Sequence, residues 1–404
     1  MPIRSRGRTA AALALAATAL LSTLAAAPAP AAPVPTTVSG RTASPSLGLP
    51  LPAGPYSIGT EVLHLTDHSR TDPWVPTAGA RELMASVHYP ARSGGAGGTA
   101  PYMSTEEARL MLAQRALDGV VPAATVSSTR THARSGARPA RGRFPLVLLS
   151  PGFGTPRATL TSLAEDLAGR GYVVVSVDHA YESSGTSFPG GRVLTCSACD
   201  RVEAAPTEEA ERELLGSVST GRAADLSFVL DRLTGRHPAW RHAGMIDTGR
   251  IAAAGHSIGG NAAVSTMRAD RRVDAGIDMD GTFFDPVPGR GLDGRPLLML
   301  GTESLHHPGG PDDSWDTGWS RLDGWKRWLT VEGSGHFTFT DLPVLAGQLG
   351  LPVDPAAPLP AARSTGITRG YVAAFLDLHL KGRPRPLLDG PVPDNPEVVF
   401  RHHP

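Results

Sequence analysis

Gly255-His256-Ser257-Ile258-Gly259-Gly260 sets a serine between two glycines. A serine hydroxyl is a weak nucleophile at neutral pH. It becomes an effective one when a base removes its proton, an acid orients that base, and N–H donors hold the oxyanion that forms. Arg250-Ile251-Ala252-Ala253-Ala254 reads as a short strand and Asn261 to Arg268 as a helix, so the Gly-x-Ser-x-Gly pattern falls where a strand turns into a helix. At such a turn the backbone is strained and bulk is excluded on both sides. The hydroxyl stands above the sheet, facing the helix N-terminus, which favours negative charge. A Gly/Ser-rich turn without chemistry is the alternative, and the strand before it and the helix after it argue against that.

The base must come from the 14 histidines, and in an open parallel sheet it belongs just after a strand. His336 follows the strand 328–331 in the small-residue loop Gly333-Ser334-Gly335-His336, downstream of the serine as the order Ser…Asp/Glu…His requires. His179 also ends a strand, but upstream of the serine. His306 and His307 lie in a polar, Pro/Gly-rich loop, and His402 and His403 in the tail, where solvation is the simplest expectation. Two acids compete. Asp280 ends the strand after the nucleophile unit, and Glu303 ends the next one. Asp278 is a third candidate on the same side as Asp280 but deeper, where an unpaired carboxylate is costly and a hydrogen-bond or salt-bridge partner is expected.

Positioning these residues takes a sheet of buried strands. Strands are expected over 55–67, 81–90, 144–149, 172–177, 250–256, 273–279, 296–300 and 328–331. Helices are expected within 103–121 and over 158–170, 208–233 (broken near Gly216–Gly221), 261–268 and 367–381, the last capped by Gly382. Residues 126–143, polar and Arg-rich, read as a surface excursion, and 181–206 as a long loop. Strands alternating with helices predict an α/β fold: a mostly parallel central sheet with helices on both faces. The catalytic domain is expected over 55–404, with 33–54 as a flexible lead-in.

Lys+Arg and Asp+Glu both number 38, so no global field recruits nucleic acid, and the Arg-rich stretch lacks aromatic partners for it. Residues 1–32 combine Arg4, Arg6 and Arg8 with an apolar run from Ala10 to Leu24 and small-residue cleavage sites. That is a secretory signal peptide pattern, so the protein is expected outside the cell. Export favours a disulfide between the only two cysteines, Cys196 and Cys199, over redox or metal work. Its loop is short, so it pins 181–206 locally. Asp312, Asp313 and Asp316 do not match a calcium loop and read as a solvated acidic loop, so no metal is expected.

Phe144-Pro145-Leu146-Val147-Leu148-Leu149-Ser150-x-Gly152-Phe153-Gly154, Gly255-His256-Ser257-Ile258-Gly259-Gly260, Gly276-Ile277-x-Met279-Asp280 and Gly333-Ser334-x-His336 together resemble the plasma and intracellular type II platelet-activating-factor acetylhydrolases and their bacterial lipase- and esterase-like relatives. The resemblance covers roughly residues 80–382 and implies the α/β-hydrolase fold. It implies Ser257 as nucleophile, Asp280 rather than Glu303 as the acid, His336 as base, and the backbone N–H groups of Phe153 and Ile258 as oxyanion donors. Relatives commonly carry His before the glycine of the first block, where this chain has Pro151. The implied activity is hydrolysis of carboxylic esters through an acyl-enzyme, without a cofactor. The implied substrates are small lipid-like esters met in transient contact with a lipid surface. A general lipase or polyester-degrading esterase is the alternative enzyme, and an inactive hydrolase-fold binding protein the alternative of another class.

Overall fold

Phe144 to Leu149 is apolar throughout, and such a run has no polar face to give to water. In the computed structural model, which describes residues 46–94, 97–352 and 354–402, it is a strand buried along its whole length. The strands are β1 (Ser57–Thr71), β2 (Ala80–Ala91), β3 (Arg134–Ser135), β4 (Phe144–Ser150), β5 (Val173–His179), β6 (Thr186–Ser187), β7 (Val193–Leu194), β8 (Ile246–His256), β9 (Ala275–Met279), β10 (Leu297–Thr302), β11 (Lys326–Val331) and β12 (Val398–Arg401). The helices are α1 (Thr105–Gln114), α2 (Ala123–Ser127), α3 (Thr161–Gly169), α4 (Ser197–Glu203), α5 (Glu208–Thr234), α6 (Ile258–Ala269), α7 (Ser314–Arg321), α8 (Leu342–Gln348) and α9 (Ala361–Lys381).

Among the described residues ten strands form one sheet in the order β12-β11-β10-β9-β8-β4-β5-β2-β1-β3, and β6 and β7 form a separate small hairpin. The six from β5 to β11 in that order run parallel, while β1, β2 and β12 pair antiparallel at the flanks. Leu226 and Leu230 of α5 with Val264 and Met267 of α6 pack on one face. Leu163 and Leu167 of α3 with Val372 and Phe375 of α9 pack on the other. After β4 the chain steps to β5 on one side and later to β8 on the other, so a crevice opens at the carboxyl ends of β4 and β8, where ligands bind in such sheets.

Four expectations change. α5 is continuous through Gly216 and Gly221. The hydroxyls of Ser217, Ser219 and Thr220 bond back to carbonyls of the preceding turn, which absorbs their tendency to leave the helix. Residues 126–143 are not a loose excursion: β3 pairs with β1, Ala133 and Ala137 are buried, and Glu165 accepts the N–H groups of His132 and Ala133. The lead-in is anchored over its described part, with Leu47 and Leu49 buried and Arg369 bonded to the carbonyls of Pro50 and Leu51. The loop 181–206 carries the hairpin and α4. The proposed signal peptide, residues 1–32, lies outside the described residues. No helix of the described residues is long and apolar enough to cross a membrane.

Candidate active site

Gly255 and Gly259 are imposed by the turn between β8 and α6. A Cβ on Gly255 would lie 2.1 Å from the carbonyl of Gly259, and one on Gly259 would lie 2.1 Å from the carbonyl oxygen of Ser150. No side chain fits either space. Between them Ser257 takes φ 56° and ψ −132°, a strained conformation for a non-glycine residue, and its N–H is tied to the carbonyl of Met279 at 2.8 Å. The structure therefore holds the hydroxyl at the N-terminus of α6.

His336 Nε2 lies 2.9 Å from Ser257 Oγ, and His336 Nδ1 lies 2.6 Å from Asp280 Oδ2. The His336 side chain is 38% exposed, whereas Asp280 is buried. Asp280 itself sits at φ 61°, with Oδ1 accepting the N–H of Thr302 at 2.7 Å and His306 Nδ1 at 2.7 Å. Burial opposes its charge, but the hydrogen bonds and charges of His306 and His336 hold its carboxyl well below the usual range. The other two acids point elsewhere. Glu303 accepts from Thr330 Oγ1 at 2.6 Å and pairs with Arg401. Asp278 accepts the N–H of Gly281 at 2.9 Å, the partner expected for it, and burial pushes its carboxyl well above the usual range.

Phe153 follows β4 in the loop Pro151–Gly154, which packs against the serine: a Cβ on Gly152 would lie 3.3 Å from that of Ser257. Ile258 opens α6, so its N–H has no intrahelical acceptor. Ile258 thus follows Ser257 directly, and the loop that carries Phe153 packs against it. The loop is held from below by buried charge. Arg222 donates to the carbonyl of Pro151 and to Glu182, Glu182 also takes Arg81, and the Glu182 carbonyl accepts the N–H of Gly154 at 3.0 Å. His179, the other strand-ending histidine, belongs to this support, lying between Asp225 and Ser150 Oγ. Cys196 and Cys199 are joined in a disulfide at the start of α4, and the sulfur of Cys199 lies 3.5 Å from a Cβ built on Gly154. The bridge therefore abuts the loop Pro151–Gly154 as well as bracing 181–206.

Three side chains of this site were not singled out by sequence reasoning. His306, read in a polar, Pro/Gly-rich loop, and Asp312, read in a solvated acidic loop, are drawn in behind Asp280: His306 is 1% exposed and its Nε2 lies 3.0 Å from Asp312 Oδ2. Nothing in the loop composition announces this. The third, His256, was in plain view inside the serine motif. Its Nε2–H donates to the His336 carbonyl at 2.7 Å and so ties the Ser257 turn to the loop that carries His336.

Burial, then the charge of His336, pushes the His256 pKa down to about 3. An unfolded chain binds that proton below about pH 6.5, the folded one only near the depressed value, so stability falls as pH drops through this window by about 1.4 kcal/mol per pH unit. His256→Gln keeps a donor for the carbonyl and is expected to remove that part of the slope. Urea unfolding of both proteins at pH 6 and pH 4 measures it. Equal losses in the two would mean that folded His256 is already charged.

The chain is similar to known proteins over most of its length. The model of the family described as platelet-activating factor acetylhydrolase, isoform II, matches residues 42–191 and 225–353. A probable 1-alkyl-2-acetylglycerophosphocholine esterase of Arthroderma benhamiae is 29% identical over 383 residues, 87% of this chain and 93% of that protein. The platelet-activating factor acetylhydrolase of Cavia porcellus is 25% identical over 236 residues, 51% of this chain and 50% of that protein. Among solved structures, a ferulic acid esterase from Streptomyces cinnamoneus superposes with a TM-score of 0.76 at 46% identity, covering 88% of this chain and 99% of that one. The fold is the α/β-hydrolase fold expected from the sequence.

Proposed function

The chain belongs to the platelet-activating factor acetylhydrolase isoform II family and is a carboxylic ester hydrolase, and we propose that it acts after export, through an acyl-enzyme on Ser257. The observation that carries this is the unbroken line from Ser257 Oγ through both nitrogens of His336 to buried Asp280. Ser257 Oγ attacks the ester carbonyl carbon as His336 Nε2 takes its proton, and the oxyanion lies against the N–H groups of Ile258 and Phe153. Asp280 holds Nδ1–H and stabilises the imidazolium. The tetrahedral species collapses as His336 hands the proton to the departing alcohol oxygen. Water, deprotonated by the same nitrogen, then attacks the acyl-serine and releases the carboxylic acid. Export rests on the N-terminal pattern and agrees with the disulfide.

The ester is proposed to be lipid-like, with a short acyl chain and a phosphate in its alcohol part. Arg115 supports this. Its guanidinium carbon lies 5.4 Å from the ring centroid of Phe337, next to His336, and its neighbour Gln114 reaches within 2.6 Å of a Cβ built on Gly154. Arg115 bonds to the Met111 carbonyl and to Gln114, and to no carboxylate among the described residues, while burial pushes its pKa down. A half-buried guanidinium with no counter-charge beside the base is suited to an anionic group on the substrate. Ile258, Phe153, Trp74, Tyr181, Leu215 and Phe284 supply an apolar wall beside the oxyanion loop. A second reading, hydrolysis of ferulic acid esters, is favoured by the 46% identity to an enzyme of that name, and such an acyl group brings Arg115 no charge.

The deciding experiment compares an acetylated glycerophospholipid, the matching acetyl glyceride without phosphate, and methyl ferulate, each with and without an organophosphonate. Arg115→Gln is expected to raise KM about tenfold for the phosphate-bearing ester and to leave the other two unchanged. Preference for methyl ferulate, with Arg115→Gln silent on every ester, would establish the second reading. Turnover untouched by the organophosphonate would remove the serine mechanism.

A further inference from the structure

Asp280 presents one carboxylate oxygen to His336 and the other to a second imidazole, that of His306. Resting on the reading of Asp280 as the acid, we propose that His306 is a charged positioning residue of the active site. It locks the Asp280 carboxylate and offsets its charge, so that Asp312, His306, Asp280, His336 and Ser257 work as one hydrogen-bonded chain.

The geometry itself requires the charge. His306 Nδ1 is 2.7 Å from Asp280 Oδ1 and His306 Nε2 is 3.0 Å from Asp312 Oδ2. A neutral imidazole has one N–H and one lone pair, and here the lone pair would face a carboxylate oxygen at hydrogen-bond distance in a buried site. Only the imidazolium donates to both. Neither acid is placed to carry the proton instead. Asp280 is held ionised by two imidazoles and the N–H of Thr302, and Asp312 also accepts the N–H of Ser314 at 2.9 Å. The His306 ring stacks on the Trp315 indole at 4.2 Å between centroids and 26° between planes, the face a cation prefers. Trp315 Nε1 is in turn bonded to the carbonyl of Gly281, next to the acid, and Trp328 Nε1 to the carbonyl of His306. Burial works against the charge, but the two carboxylates raise the His306 pKa to about 9, while Asp312 is held down at about 2.

The charged and titratable groups facing His306 are Asp280 and Asp278 at the end of β9, Asp312 before α7, and, across Asp280, His336. Glu303 at the end of β10 turns away to Arg401. Burial pushes the Asp278 carboxyl well above the usual range. A cation fixed behind Asp280 has a defined consequence: it cancels part of the carboxylate's charge, so removing it strengthens the pull of Asp280 on an imidazolium formed at His336. It also forbids the carboxylate from rotating off Nδ1. The base therefore has its tautomer set by two charges and not one.

The test is His306→Gln, which returns a donor to Asp280 without the charge. The acid limb of kcat/KM, read with a soluble chromogenic ester, is expected to move up by about 1–2 pH units. In the variant kcat should fall about tenfold with KM unchanged. A merely structural histidine would lower melting temperature or active fraction and leave the limb where it is; an acid limb coincident with that of wild type overturns the proposal. Should the variant fail to fold, nitrogen-resolved NMR of the wild-type imidazoles at pH 7 decides: both His306 nitrogens protonated supports the proposal, and one bare nitrogen overturns it. Organophosphonate labelling of the wild type separates the two readings. Labelling with an unmoved limb removes the role of His306 alone, and no labelling removes the serine mechanism on which it rests.

Discussion

Ser257→Ala is expected to cost about six decades of turnover on every ester the enzyme accepts, and to abolish covalent labelling by an organophosphonate. Residues that act as one nucleophilic unit fail together, so the remaining activity comes from the oxyanion donors and substrate binding alone, about three decades over water. The fold should hold. The Ser257 hydroxyl makes its hydrogen bond to His336, and the backbone of the turn is fixed by the contacts of Gly255 and Gly259 and by the Ser257 N–H to Met279. Alanine keeps the Cβ and the same strained φ, so melting temperatures should agree within a few degrees. Labelling that persists in the variant, with mass spectrometry placing the adduct on another residue, would move the nucleophile out of this turn.

What the sequence made legible is what local backbone physics writes into it. The turn around Ser257 needs two glycines and a strand–helix junction, and all three are contiguous in the chain. His336 stands out because small residues free its loop. The buried parallel strands are runs of β-branched and aliphatic residues, readable one at a time. The acid was a different matter, since Asp280 and Glu303 end successive strands and strand position does not separate them; family resemblance favoured Asp280, and it is Asp280 that meets His336. His306 and Asp312 left no trace, because a polar, Pro/Gly-rich loop looks solvated until Trp315 and Trp328 fold over it. The lead-in and residues 126–143 misled for a related reason: their burial comes from partners such as Glu165 and Arg369 far along the chain. Short pieces, such as β12 and α7, carry too few residues for a period to show.

The two acids part most sharply under near-isosteric substitution. Asp280→Asn is expected to lose about four decades of turnover, whereas Glu303→Gln stays within about tenfold of wild type. The reason lies in what surrounds the Asp280 carboxylate. Oδ1 faces two donors, the N–H of Thr302 and Nδ1–H of His306, while Oδ2 faces His336 Nδ1. An asparagine must place its carbonyl oxygen toward the two donors, which turns its NH2 toward His336. That amide can only donate, so His336 must accept at Nδ1 and carry its proton on Nε2, where it meets the hydroxyl of Ser257 instead of taking a proton from it. The wrong tautomer is thus enforced by His306 and Thr302 together, and the substitution cannot relax by flipping the amide. Glu303→Gln weakens the pair with Arg401 of β12 and leaves His336 untouched. Thermal melts of both variants confirm that folding is comparable before turnover is compared. A crippled Glu303→Gln beside an active Asp280→Asn would place the acid one strand later and detach His306 from the reaction altogether.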